Sequence, residues 1–107
     1  MKDVDCTLGV IMTNDSKIRE KLLKKYGTNC EISIEYDDAC YIANIIDKNT
    51  KNAIRGHLYN LEQQEIDTPV LERISKKGGK LYGLANNKEY LLIRREVGQQ
   101  IYFEIIK

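Results

Sequence analysis

The sequence predicts an α+β domain in which a C-terminal antiparallel three-stranded meander is covered by two to four helices. Two observations carry this. The strand-like runs Leu81–Ala85, Glu89–Glu96 and Gln100–Lys107 are separated by Asn86-Asn87 and Val97-Gly98, which supply residues that tolerate positive φ. Upstream of them, several stretches space their apolar residues at helical intervals. Strands joined by short turns form a meander, and its apolar face needs a cover, for which the upstream segments are the candidates. A chain of 107 residues is expected to form a single domain over residues 1–107.

Taken in order, Thr7 to Thr13 is a short apolar run rich in β-branched residues and is expected to be a strand. Asn14, Asp15 and Ser16 offer N-caps for a helix over residues 15–26. In it Ile18, Leu22, Leu23 and Tyr26 share a face, lysines occupy the rest, and Gly27 supplies the stop. Glu31 to Tyr36 alternates, with Ile32, Ile34 and Tyr36 on one side, as a half-buried strand does. In residues 39–46 the positions Ala39, Ile42, Ala43 and Ile46 fit a helix capped by Asp38. A returning strand is the alternative, disfavoured because Asp37-Asp38 lacks the Gly or Asn of a tight turn.

Asp47-Lys48-Asn49-Thr50 breaks the pattern and can cap a helix from Lys51 to Gln64, with Ile54, His57, Leu58 and Leu61 on its apolar face. Gly56 inside it marks close packing. Thr68 as N-cap followed by Pro69 predicts a short helix over Val70 to Lys77, ended by Gly78-Gly79. In the last strands Ile101, Phe103 and Ile105 point one way and Tyr102, Glu104 and Ile106 the other. Both faces are partly apolar, so cover on both sides is expected.

Composition limits the function classes. At 42% hydrophobic and 31% charged, with one Pro, the chain reads as an ordinary globular domain. No apolar run approaches the roughly 18–20 residues of a spanning helix, and Met1-Lys2-Asp3-Val4-Asp5 lacks the layout of a secretion signal, so a cytoplasmic location without membrane attachment is expected. Cys6, Cys30 and Cys40 are odd in number and irregularly spaced. They are expected to be buried thiols, with neither a disulfide framework nor a zinc site, and no cofactor is implied. The net charge of +1 hides an asymmetry. Residues 1–28 carry +2, residues 29–67 carry −5, and residues 68–107 carry +4. One basic end and one acidic middle follow, either of which can meet an oppositely charged partner.

Phosphate-binding glycine loops, zinc-protease and nucleophile-elbow motifs are absent. One constellation stands out: Lys76, Lys77 and Lys80 on a Gly-rich turn, feeding strands that carry Tyr90, Arg94, Arg95 and Tyr102. Metal-free cleavage of a phosphodiester needs cations on the phosphate and a group to move a proton. RNA binding by stacking and phosphate contact uses the same residue types.

Residues 31–107 resemble the RelE/HigB-type toxins of bacterial toxin–antitoxin pairs. The layout of strand, helix, helix and meander is carried by Glu31–Tyr36, Asp47-Lys48-Asn49-Thr50, Ile54–Leu61 with Glu62-Gln63-Gln64, Pro69, Gly79-Lys80-Leu81-Tyr82, the Tyr90 strand and Ile101–Lys107. The resemblance implies a metal-independent endoribonuclease that cuts mRNA on the ribosome and is held by a cognate antitoxin. Lys76, Lys77, Lys80 and Tyr90 would bind the nucleic acid, and Arg94, Arg95, Tyr102 and His57 would serve catalysis. The family run Leu-Tyr-Glu-Leu-Arg reads here Leu81-Tyr82-Gly83-Leu84-Ala85, and Leu91 follows Tyr90 where the family has Arg. Arg94 and Arg95 would then substitute from further along the strand.

The alternative is a non-enzymatic phage- or plasmid-type inhibitor or immunity protein, binding a protein partner through the acidic face from Glu31 to Asp67. A helix-plus-wing DNA-binding module using residues 51–77 and the hairpin after them is a third reading.

Overall fold

The computed structural model describes residues 15–37 and 40–106. The expected strand Thr7–Thr13, the cap Asn14, Cys6, and the expected cap Asp38 lie outside the described residues. Helix α1 spans residues 15–26 and is followed by eight strands. These are β1 (Cys30–Asp37), β2 (Cys40–Asp47), β3 (Ala53–Tyr59), β4 (Glu65–Ile66), β5 (Arg73–Lys77), β6 (Lys80–Ala85), β7 (Lys88–Val97) and β8 (Gln100–Ile106). They form two four-stranded antiparallel meanders, β1-β2-β3-β4 (sheet 1) and β5-β6-β7-β8 (sheet 2). No helix among the described residues is long and apolar enough to cross a membrane.

The α+β expectation is therefore corrected. The C-terminal strands lie where the sequence places them, but what covers their apolar face is a second sheet. The segments expected as helices over 39–46, of which Ala39 lies outside the described residues, Lys51–Gln64 and Val70–Lys77 hold strands β2, β3 and β5. The reason is two-sided burial. In β2 the residues Cys40, Ile42 and Asn44 face sheet 2, while Tyr41, Ala43 and Ile45 face α1, so Cys40 through Ile45 are all buried. A strand covered on both faces loses its alternation and matches a helical template by chance. Ile54 and Leu61, assigned to the apolar face of the second helix, are exposed, whereas Gly56, His57, Leu58 and Tyr59 are buried in succession.

The cap signals were chemically sound but served turns. The Asp47 carboxylate accepts from the N–H groups of Asn49 (2.7 Å) and Thr50 (3.0 Å). That is the bonding of an N-cap, used here to close the β2–β3 connection. These bonds hold the Asp47 carboxyl below its ordinary pKa. Pro69 lies in a strap, residues 67–72, whose backbone ties three strands. Asp67 O accepts from Phe103 N–H (2.9 Å), Leu71 O from Gly56 N–H (2.9 Å), and Glu72 N–H donates to Leu84 O (2.8 Å). The residues Gly78-Gly79, read as a helix stop, are the central pair of the β5–β6 hairpin, both at positive φ as a two-residue turn requires.

Two cores result. Between the sheets pack Cys40, Ile42, Leu58, Ile66, Leu71, Ile74, Leu81, Leu92 and Phe103. Between sheet 1 and α1 pack Ile18, Leu22, Ile32, Tyr41, Ala43, Ile45 and Tyr59. The buried Asn44 side chain joins the sheets by donating to Ile74 O and accepting from Ile74 N–H, both at 2.8 Å. Opposite it, Gly56 lets β5 approach closely, for a Cβ there would lie 2.7 Å from Ile74 Cγ1 and 3.0 Å from Ile74 N. The DNA-binding reading loses its recognition helix, since Val70–Lys77 is strap and strand.

Candidate functional site: an acidic-rimmed cleft between the sheets

Sheets 1 and 2 press together at β2, β3 and β5 and separate toward β4 and β8. There a cleft of about 630 Å³ opens, within the size range of ligand sites. One wall is the β3–β4 hairpin with Asn60, Glu62, Gln64 and Glu65, continued by Asp67 of the strap. The other is Arg94 and the start of β8, Gln100 and Ile101. A second hollow of about 350 Å³, lined by Leu81, Leu92 and neighbours, adjoins it, and Cys40, Arg94 and Phe103 border both.

The hairpin wall is held rigidly. Asn60 Oδ1 accepts from the N–H groups of Glu62 and Gln64, each at 2.9 Å, and the Asn60 N–H donates to Gln64 O (2.9 Å). Lys21 of α1 donates to Gln63 O (3.2 Å), pinning the loop from the helix side. Glu62 and Asp67 are thereby presented to solvent on an ordered frame.

Behind this wall runs a hydrogen-bonded chain. His57, 3% exposed, bonds through Nδ1 to Glu65 Oε2 (2.7 Å) and through Nε2 to the Tyr26 hydroxyl (2.8 Å). In the neutral imidazole, Nδ1–H donates to the carboxylate and Nε2 accepts from the phenol. The connectivity is that of a carboxylate–histidine–hydroxyl relay. Burial raises the Tyr26 pKa against the opposing pull of Arg55, and burial, with Glu65 and Tyr26 adding, pushes Tyr59 up to about 12. The chain fastens α1 to β3 and β4, and its His57 does not line the cleft.

The structure disperses the residues singled out from the sequence. Arg94 lies at the cleft and pairs with Glu96 (3.2 Å). Arg95, next along β7, points to the opposite face of sheet 2, where it pairs with Glu104 and lies across from Tyr102. Lys77 is on that outer face too, bound to Glu89 (2.8 Å) with its ammonium 5.9 Å from the Tyr82 ring. Lys80 closes the same hairpin and borders the smaller hollow, Lys76 lies exposed beside it, and Tyr90 is half-buried on the sheet face that turns inward. Arg95 and Tyr102 are neighbours and the three lysines share a turn. Arg94, Arg95 and His57 do not converge. Cys30 and Cys40 belong to different cores, and among the described residues no group of three or more His, Cys, Asp or Glu is gathered as metal ligands are.

Glu65, Asp67 and Asn60 were not singled out from the sequence. The available signal was the eight-residue spacing of His57 and Glu65, which matters only once the segment is read as a hairpin. Comparison with protein-family models, curated proteins and solved structures finds no match to this chain.

Proposed function

We propose that this chain is a small non-enzymatic binding protein that holds a protein partner at the inter-sheet cleft through its acidic rim. The observation that carries this reading is the placement of charge. Arg94 and Arg95 lie on opposite faces of β7, each with a carboxylate of its own sheet, and cannot close on one phosphate. The cleft rim instead presents Glu62 and Asp67 on a hydrogen-bonded hairpin and strap. Such a rim repels a polyanion and favours a basic protein surface.

The test sets this reading against an mRNA endonuclease restrained by an antitoxin. The chain is expressed inducibly in bacteria, growth is followed and mRNA ends are mapped. In parallel, tagged wild type and a Glu62→Lys/Asp67→Lys variant are used to capture partners from cells of its source. The expected outcome is normal growth, intact messages, and a specific protein retained by wild type and lost by the variant. Growth arrest with new ends inside translated messages would overturn the binding reading and restore interest in Arg94 and the lysine turn.

A further inference from the structure

The cleft lies on a seam between two strand edges, and the seam is left almost entirely unladdered. In an antiparallel pair, successive residues turn their backbone groups alternately toward and away from the partner. Asn60 N–H bonds Gln64 O, so Glu65, the next residue along, turns its N–H and C=O away from β3, toward the cleft, as does Asp67. On the other side Phe103 N–H points away from β7 and donates to Asp67 O. Ile101, two residues earlier on the same edge, therefore also points its N–H and C=O outward. The parallel bridge Asp67–Tyr102 is the single rung between β4's extension and β8 among the described residues. A continued ladder would bring Glu65 level with Gln100, but there the two edges part around the cleft.

Resting on the binding reading above, we propose that the partner's contact is an extended basic segment that enters this cleft as an added strand, pairing with the outward N–H of Ile101 and the outward backbone groups of Glu65. Strand addition draws affinity from main-chain hydrogen bonds and specificity from side-chain pockets. The side chains on the rim choose the sign of the charge. Glu62 and Asp67 flank the seam against one cation, Arg94, which already holds Glu96, while the Glu65 carboxylate is taken by His57. Lysine or arginine at alternate positions of the segment would meet the carboxylates, and the apolar positions between them would meet Ile66, Ile101 and Phe103.

The proposal is tested with three capped hexapeptide probes titrated against the full chain by fluorescence anisotropy and amide chemical shifts. One alternates Lys and Val, one alternates Glu and Val, and the third is the Lys/Val peptide N-methylated at alternate amides. The Lys/Val peptide is expected to bind, with the largest shifts at the amides of Ile101 and Glu65, and the other two are expected not to. Glu62→Lys/Asp67→Lys should weaken it by about tenfold or more. Ile101→Pro should weaken it comparably while leaving every charge in place. It removes an edge N–H that faces away from β7, where proline is tolerated; Ile101→Ala, which keeps the N–H, should weaken binding less, and circular dichroism confirms that all the variants stay folded. Absence of Lys/Val binding, or equal binding of the N-methylated peptide, would overturn strand addition. Should the captured partner still be lost on Glu62→Lys/Asp67→Lys in that case, the binding reading survives and only its mode fails. Loss of neither removes both.

Discussion

Strands β2 and β8 are of similar length and occupy meanders of the same design, yet they live in different surroundings. In β2, six successive residues from Cys40 to Ile45 are buried, because α1 covers one face of sheet 1 and sheet 2 covers the other. In β8 only Phe103 is buried, and the outer face carries Tyr102 and Glu104. Sheet 1 is thus the packed centre of the molecule. Sheet 2 contributes one face to the core and keeps an edge and a face for other uses. Substitutions ought to divide the same way, being costly where both faces are covered and mild where one is open.

The sharpest way to break that comparison is Asn44→Ala. Among the described residues, Asn44 is a buried side chain that binds the backbone of the opposite sheet at both its donor and its acceptor. Truncation leaves Ile74 N–H and C=O without partners inside the core, and two orphaned groups cost roughly 2–5 kcal/mol. Urea unfolding of wild type and variant measures it. A loss below 0.5 kcal/mol, within the usual range of surface substitutions, would mean that the sheets are not joined as described. Next is Gly56→Ala, whose added methyl group meets both the side chain and the backbone nitrogen of Ile74. Overpacking of this kind costs about 1–3 kcal/mol. Gly83, which faces the far end of the Leu71 side chain, should tolerate Ala better because a side chain can give way where a backbone cannot.

The same contrast explains what could be read from the sequence. Helix α1 was legible because one face is exposed and the apolar positions Ile18, Leu22 and Tyr26 keep their spacing. Strands β6 to β8 were legible because Gly78-Gly79, Asn86-Asn87 and Gly98 punctuate them and their outer face stays in solvent. β2 and β3 were misread because cover on both faces removes the alternation that marks a strand. Thr68-Pro69 misled because a proline fixed near φ −65° suits an extended strap as well as a first helical turn. Of the candidate site, Arg94 and Tyr102 were found from the sequence. The hairpin acids entered only as part of the acidic stretch Glu31 to Asp67, because Glu65 and Asp67 gain their individual meaning only from β4 lying beside β8.

A pH titration sharpens the comparison on the sheet 1 side. The Tyr59 pKa in the folded chain, about 12, lies above the ordinary value of 10.0. A raised pKa means that its stabilising contribution is fully present below the unfolded value. The contribution then declines as pH rises from about 10 toward 12, because the unfolded chain releases the proton first. Stability measured between pH 9 and 12 should fall by about 1–2 kcal/mol more in wild type than in Tyr59→Phe. Equal slopes would show that Tyr59 is not held in the protonated state by the α1–sheet 1 core.

The smallest effect is expected on the outer face of sheet 2. Arg95 and Glu104 pair across β7 and β8 with each side chain about half exposed, at 49% and 45%. An ion pair in that setting is screened by water and salt, and its formation orders two long side chains. The coupling energy from a double-mutant cycle of Arg95→Ala and Glu104→Ala should therefore be about 0–1 kcal/mol, shrinking further in high salt. An open outer face demands more than a small magnitude. If the outer face is as open as described, neither single variant alters the cleft, and both retain peptide binding at the β4–β8 seam. A coupling well above 1 kcal/mol would show that the pair is desolvated by something lying over this face. Sheet 2 would then be covered on both sides like sheet 1, and the contrast between the two halves would disappear.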